Sequence, residues 1–442
     1  MPIRTVSEAA GGAARQPGQS PRKGAAVRIL VDQSGYDLLN IGDVAMLQSC
    51  VTRLRRQWPQ SEIMVIAHDP ALLAAYCPGS RAISRVLADR PPACLLPSKL
   101  RLAAEQGWKI AGPYAARRPG APPGRPRTAV QAVRAADLVV ASGGGYLTDT
   151  FWWHAAGVLS VLSLAQRLGK PTAMFGQGIG PLRGRALRRQ ARAVLPRLTV
   201  LGLREDRAGP GLARSLGVPP SAVLVTGDDA LEQAGGTAPA PCGTALGFSL
   251  RVSGYAGLDA AAAAAVSEVV LAAGRALGAP VTGLPVSRYA ADGDLRVLRA
   301  AAGRGPAGAG VEASDLDTPG ALWAATANCR AVVAGSYHAA VFSLALGIPA
   351  VCLTRSAYYD AKFSGLVSLF PGACQMIALG RPGWAAGLSE AIGRAWRLPG
   401  ADRAAARAAA ARLQVAGRDA YARLGEAFGA PVAAGQHRGP GW

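Results

Sequence analysis

Residues 332–342 read Val-Val-Ala-Gly-Ser-Tyr-His-Ala-Ala-Val-Phe, and residues 347–353 continue with Gly-Ile-Pro-Ala-Val-Cys-Leu. This stretch predicts a buried strand, a tight turn, a short apolar helix, a glycine stop and a second buried strand. Ser336 stands at the N-cap position, where its hydroxyl is predicted to cap the helix, and His338 falls in the first helical turn. Because ligands bind beyond the carboxyl ends of strands in open parallel sheets, His338 is a candidate for chemistry.

The same order of strand, turn and helix recurs in both halves of the chain. Residues 28–32, Arg-Ile-Leu-Val-Asp, predict a first buried strand, followed by a loop over 33–42, a helix from 44 to about 58 and a strand over 62–67. Further strands are predicted at 136–141, 172–175, 199–203 and 223–225, and in the second half at 245–250 and 280–284. This alternation is typical of α/β folds, so we expect two Rossmann-like doubly wound domains that face a cleft.

Composition shifts predict the domain boundaries. We expect a disordered tail over 1–26, an N-terminal domain over 27–235, a linker over 236–243, a C-terminal domain with terminal helices over 244–430, and a disordered tail over 431–442. Residues 87–127 are rich in Pro and Arg and interrupt the pattern. They predict an insertion over the cleft or a surface excursion.

The formal net charge of +21 first indicates a nucleic-acid or membrane partner. The arginines are scattered, however, and lack the interleaved aromatic residues that stack bases, so we expect no nucleic acid. An anionic small substrate, or an acceptor at a membrane surface, is compatible with the charge. The seven cysteines are an odd number without a CxxC pair, which argues against a disulfide scaffold or a zinc site. No signal peptide or spanning segment is predicted, so we expect a cytoplasmic protein, compatible with peripheral association with the inner face of the membrane.

Four glycine-rich turns follow predicted strands in the first half. They are Asn40–Asp43, Ser142–Gly145, Gly176–Pro181 and Gly227–Asp229. Backbone N–H groups at such turns can bind anions, although each turn taken alone can equally be a tight turn of an α/β domain. None of them matches the dinucleotide fingerprint or the phosphate-binding loop with its lysine.

Three cationic residues lie near predicted strand ends. Arg204 and Arg251 directly follow strands, so both could face the cleft or simply be solvated. Lys362 is one of five lysines in the chain and is predicted in a loop after the strand that follows His338, with a surface ammonium as the alternative. Beside a bound anionic substrate, His338 would be suited to act as a general acid, although it could also be a packed side chain.

Together these motifs resemble the polysaccharide pyruvyl transferases. The matching pieces are residues 40–43, 136–140 with 143–145, 176–181, 203–206, 227–231 and 338–349, with Lys362 downstream. The resemblance implies a fold like that of GT-B glycosyltransferases and transfer of pyruvate from phosphoenolpyruvate to two sugar hydroxyls as a cyclic ketal, without cofactor or metal. It implies that His338 is the catalytic acid and that a sugar or a lipid-linked saccharide is the acceptor. The substrate-binding candidates are Asn40, Asp43, Gly143, Gly144, Gly145, Gln177, Arg204, Arg251, Ser336 and Lys362.

One position departs from the family pattern. Many members carry an arginine two residues before the histidine, where this chain has Ser336. The donor contact of that arginine would then come from Arg251, Arg355 or Lys362, or the donor would differ. The alternatives are a GT-B glycosyltransferase with a nucleotide-sugar donor and a non-catalytic member of the family.

Overall fold

The computed structural model describes residues 26–84, 129–234, 243–290, 293–302, 311–312 and 314–429. The expected tails, the linker and the insertion at 87–127 lie outside the described residues, apart from residues 26 and 243.

The first half forms one parallel sheet, with the strand order β3-β2-β1-β4-β6-β7-β8 and β5 paired with β6. Its strands are almost wholly apolar because helices cover both faces of the sheet. The order reverses between β1 and β4, where Val31 lies beside Val65 on one side and Val140 on the other. The strands are β1 (Arg28–Asp32), β2 (Glu62–Ile66), β3 (Arg81–Ile83), β4 (Leu138–Ala141), β5 (Gly144–Leu147), β6 (Thr172–Ile179), β7 (Val200–Leu203) and β8 (Val223–Val225).

The second half forms another parallel sheet, with the strand order β11-β10-β9-β12-β13-β14. Here the order reverses between β9 and β12. The strands are β9 (Ala245–Ser249), β10 (Val281–Gly283), β11 (Val311–Glu312), β12 (Cys329–Ala334), β13 (Ala350–Thr354) and β14 (Cys374–Ala378). The expectation of two doubly wound α/β domains is therefore confirmed.

Helices connect the strands of each sheet. In the first half these are α1 (Ile41–Gln57), α2 (Pro70–Tyr76), α3 (Ala129–Ala135), α4 (Trp152–Arg167), α5 (Arg185–Val194) and α6 (Gly209–Ser215). In the second half they are α7 (Ala260–Leu277), α8 (Asp294–Ala302), α9 (Pro319–Ala327), α10 (Tyr337–Ala345), α11 (Ala357–Leu369), α12 (Trp384–Trp396) and α13 (Gly400–Phe428).

Two helices differ from the sequence-based expectation. Although no segment of membrane-spanning length was expected, α7 is long and apolar enough to cross a membrane by length and composition. This is weak evidence for a span, because Val266, Val270 and Leu271 of α7 are buried in the core of the second domain. The second helix is α13, which the sequence assigns to the C-terminal domain. Its carboxyl half packs instead on the first sheet, where Tyr421 stacks on Phe175 with ring centroids 3.7 Å apart.

The two domains meet where α1 begins. The N–H of Ile41 donates to the carbonyl of Val286 at 2.9 Å, and the N–H of Arg288 donates to the carbonyl of Leu39 at 2.8 Å. Tyr358 of α11 donates its hydroxyl to the carbonyl of Gly145 at 3.2 Å. The carboxyl ends of both sheets therefore face one interdomain region.

Candidate active site

His338 lies at this interdomain region, in the first turn of α10, as the sequence predicts. Its side chain is buried among residues of both domains. A β-carbon built on Gly42 would lie 2.0 Å from Cγ of His338, so the imidazole packs directly against the backbone of the first turn of α1. This close approach gives a physical reason for glycine at position 42.

Arg204 follows β7 and reaches from the N-terminal domain to the helix that carries His338. Its guanidinium carbon lies 4.4 Å from the centroid of the Tyr337 ring. Gly145 and Gly178 flank the guanidinium so closely that a β-carbon on either would lie 2.5 Å from one of its nitrogens. Two of the predicted glycine turns therefore leave room for an arginine at the domain interface.

Asp228 connects Arg204 with His338. Its Oδ2 lies 3.7 Å from Nε2 of His338 and 3.7 Å from a terminal nitrogen of Arg204. Neither distance is a hydrogen bond, and both Oδ2 and Nε2 are buried without a hydrogen-bond partner. Burial acts to raise the pKa of Asp228, but His338 and Arg204 outweigh it, so this pKa lies below its usual value.

Lys362 lies on α11, so the prediction that it occupies a loop is wrong. Ser356 caps this helix by accepting the N–H of Tyr359. The ammonium of Lys362 lies 5.0, 4.7 and 5.6 Å from the ring centroids of Tyr337, Tyr358 and Tyr359. Burial and, to a lesser extent, the charge of Arg204 hold the pKa of Lys362 well below its ordinary value of 10.5. Arg204 and Lys362 therefore place two basic groups beside one tyrosine ring.

Arg251 and Ser336 belong to a different arrangement, centred on Asp294 at the start of α8. Arg251 donates to Asp294 from Nε at 2.5 Å and from a terminal nitrogen at 3.4 Å, and its other terminal nitrogen donates to Tyr255 at 2.8 Å. The Ser336 hydroxyl donates to Asp294 at 2.9 Å. Ser336 is at the N-cap position but makes no capping hydrogen bond, so the predicted side-chain cap is wrong.

Asp294 also supports the contact between the two domains. It accepts the N–H groups of Val286 and Ser287 at 2.9 and 3.1 Å. The carbonyl of Val286 in turn binds the first N–H of α1. The buried Asp294 carboxylate thus binds Ser336, just before the helix that carries His338. It also binds the loop at 286–287, which holds the start of α1 against His338.

The remaining candidates have structural contacts in this arrangement. Asn40 caps α1 by accepting the N–H groups of Gly42 and Asp43. Gln177 is fully buried and donates to the carbonyl of Ser142 at 2.6 Å and to the Tyr146 hydroxyl at 2.9 Å, which fixes the turn before β5. Gly143 packs on Met46, and Gly144 packs on Tyr146 and Ser34. Their predicted contacts with a substrate stay predictions.

Sequence reasoning missed Asp228, Asp294 and Tyr337 as site residues. Asp228 carried a usable signal, since it lies in a glycine turn directly after a strand. Asp294 carried none, because it meets Arg251 from 43 positions along the chain. Among the described residues no group of three or more His, Cys, Asp or Glu side chains could hold a metal ion.

Two parallel α/β domains that meet at the carboxyl ends of their sheets define the GT-B class of fold. The structure is similar to a putative UDP-N-acetylglucosamine 2-epimerase from Listeria monocytogenes, with a TM-score of 0.55, 10% identity, and 91% of this chain and 97% of the other covered. It is also similar to the S. aureus MnaA–UDP complex, with a TM-score of 0.56, 12% identity and 93% and 100% covered. A third similar structure, the glycotransferase of kitacinnamycin, has a TM-score of 0.51, 13% identity and 89% and 97% covered.

These identities are low, so the likenesses establish the fold alone. The family follows from the sequence: the model of the polysaccharide pyruvyl transferase family matches residues 40–357. The chain belongs to this family. No curated protein matches it significantly.

Proposed function

We propose that this protein transfers pyruvate from phosphoenolpyruvate to two hydroxyls of a saccharide, forming a cyclic ketal in the biosynthesis of a cell-surface polysaccharide. Membership of the family supports a transferase, and the site supports an anionic donor. The observation that carries the proposal is that Arg204 and Lys362 lie beside Tyr337 next to His338, with no carboxylate hydrogen-bonded to either among the described residues.

Phosphoenolpyruvate carries a carboxylate and a phosphate, which need at least two cationic groups. Arg204 is suited to a bidentate contact with one of them because its guanidinium is a planar fork. Lys362 would supply a second charge, since a bound anion favours the protonated ammonium. Arg251 is less suited than Arg204, because three of its donors are already bound to Asp294 and Tyr255.

His338 would act as the general acid. It would protonate the methylene carbon of the donor, which turns that carbon into a methyl group and leaves the neighbouring carbon electron-poor. One acceptor hydroxyl then adds to this carbon and loses its proton. The second hydroxyl forms the other bond to this carbon and loses its proton as the bond between the carbon and the phosphate oxygen breaks, and phosphate leaves with that electron pair. Asp228, ionised and 3.7 Å from Nε2 of His338, would orient the imidazole and stabilise its charge.

The test is release of phosphate. We expect the purified protein to release phosphate from phosphoenolpyruvate when a suitable sugar or lipid-linked saccharide is present, and His338→Ala to lose this release. Ser343→Ala serves as the control, because Ser343 is a buried residue of the same helix whose hydroxyl donates to the carbonyl of Ala340 within α10.

Two outcomes would overturn the proposal. A thermal shift with UDP- or GDP-sugars and none with phosphoenolpyruvate would favour a glycosyltransferase. If a variant that cannot fold lost the cellular phenotype while His338→Ala kept it, a non-catalytic role would be favoured.

A further inference from the structure

One segment of the first domain is strongly basic. Residues 149–198 hold a single acidic residue, Asp149, whereas the whole chain has 27 acidic and 48 basic residues. The basic residues in this segment are Arg167, Lys170, Arg183, Arg185, Arg188, Arg189, Arg192 and Arg197.

Helices α4 and α5 bring these residues together. The N–H groups of Arg183 and Gly184 donate to Asp149, just before α4, and Gln190 of α5 donates to the carbonyl of Ala156 in α4. Gln166 near the end of α4 donates to the carbonyl of Val194 at the end of α5. The two helices therefore run side by side in the same direction.

The outer side of this pair carries exposed apolar side chains as well as charge. Trp152 is 38% exposed, Trp153 is 50% exposed and Leu168 is 39% exposed, and all three belong to or directly follow α4. The exposed arginines of the same two helices and their flanking turns are Arg167, Arg183, Arg185, Arg189, Arg192 and Arg197. We call these nine residues the α4–α5 face.

The arginines of this face have no neutralising partners within the described part of the chain. No described carboxylate forms an ion pair with any of the six. Helix α13 is also rich in arginine, but there Arg418 pairs with Glu232 at 3.3 Å and Arg403 donates to main-chain carbonyls, whereas Arg412 and Arg423 are exposed. The charge of the α4–α5 face is thus available to an anionic partner.

We propose that the α4–α5 face docks the protein on an anionic lipid bilayer. Arginines near such a surface are attracted by its negative potential, and tryptophan favours the boundary between lipid and water. The combination of exposed indole rings with unpaired arginines on parallel helices fits this partner in charge and in polarity.

The position of the face gives the docking a consequence. Phe151, immediately before Trp152, packs its ring 5.3 Å from that of Tyr255 and 5.5 Å from that of Tyr358. Tyr358 belongs to the candidate active site through Lys362 and Gly145. The tryptophan end of the face therefore lies beside the interdomain site, and a docked protein would have its site close to the lipid headgroups.

The experiment is sedimentation of the full chain with vesicles, without donor or acceptor, so its outcome is independent of the transfer reaction. We expect binding to vesicles of phosphatidylcholine mixed with phosphatidylglycerol, weakened by salt, and no binding to phosphatidylcholine alone. The triple variant Arg185→Gln, Arg189→Gln, Arg192→Gln should bind on the order of a hundredfold more weakly, since each basic residue contributes a factor of about five. Trp153→Ser should weaken binding further when added.

The matched control is Arg397→Gln, Arg412→Gln, Arg423→Gln, which removes the same charge from exposed positions elsewhere. We expect it to bind as the unmodified protein does. An equal loss in this control would overturn the proposal, since net charge alone would then explain binding. The proposal would also be overturned if the unmodified protein failed to bind the anionic vesicles. It would be overturned as well if RNA fully displaced the vesicles and Trp153→Ser left vesicle binding unchanged.

Discussion

Arg204 and Arg251 lie one in each domain, each just past a strand at the carboxyl end of a parallel sheet, and both are buried. They differ in their carboxylate partners. Arg251 is held by Asp294 through two hydrogen bonds, whereas Arg204 lies 3.7 Å from Asp228 and makes no hydrogen bond to it. One buried arginine is thus hydrogen-bonded to a carboxylate of its own domain, and the other is only loosely ion-paired, which supports the proposal that Arg204 binds the anionic donor.

The largest expected effect is on activity at Arg204. We expect Arg204→Ala to lower kcat/KM for the donor by about 1000-fold, because a preorganised charged contact to the reacting group is lost. Arg207→Ala is the control, since Arg207 is exposed and lies in the same segment. Steady-state phosphate release measures both variants. If Arg204→Ala kept activity within a few-fold of the unmodified protein, Arg204 would not bind the donor, and the contrast between Arg204 and Arg251 would have no functional meaning.

The second effect is on stability at Arg251. We expect Arg251→Met to lower the free energy of unfolding by about 3 kcal/mol, because it leaves the Asp294 carboxylate buried without its charge partner. Arg204→Met should cost less, since the pairing of Arg204 with Asp228 is looser. Urea denaturation followed by circular dichroism compares the two variants. Equal losses would mean that both arginines are structural.

The smallest effect concerns Lys362 and pH. Anion binding needs the protonated ammonium, whose fraction falls as pH rises through its pKa. Because burial lowers that pKa below 10.5, donor affinity should weaken at a lower pH than for an exposed lysine. The loss should be about tenfold, the contribution of one charged hydrogen bond. In Lys362→Arg, where the side chain stays charged, the donor affinity measured by calorimetric titration should no longer fall over this pH range. An unchanged profile would show that Lys362 does not bind the donor.

The local predictions succeeded where a short pattern is sufficient. The strand, glycine turn and helix around His338 follow from apolar runs and punctuating glycines, which act over a few residues. Val332 pairs with Ala350 as neighbouring parallel strands, as expected for this order. The helix at Lys362 was missed because its start, Ser356 followed by an alanine and two tyrosines, gives a weak helix signal.

The site was predictable only in part. The placement of the glycine turns and of Arg204 at the interdomain region was predictable because they lie at strand ends, which must share one edge of a parallel sheet. The Ser336 cap failed because the hydroxyl instead donates to Asp294 at 2.9 Å, a charged acceptor 42 positions away that no local pattern reveals. The α4–α5 face was likewise hidden, since a list of arginines does not show which of them have carboxylate partners.

The sequence by itself determined the two α/β domains, the position of His338 at a helix start and the turns around it, because each depends on neighbours along the chain. The tertiary structure alone decided which cations are neutralised. That depends on carboxylates far away in sequence, as with Arg251 and Asp294. It also decided that Gly42 of one domain packs on His338 of the other, a contact that exists only when both domains are folded and face each other.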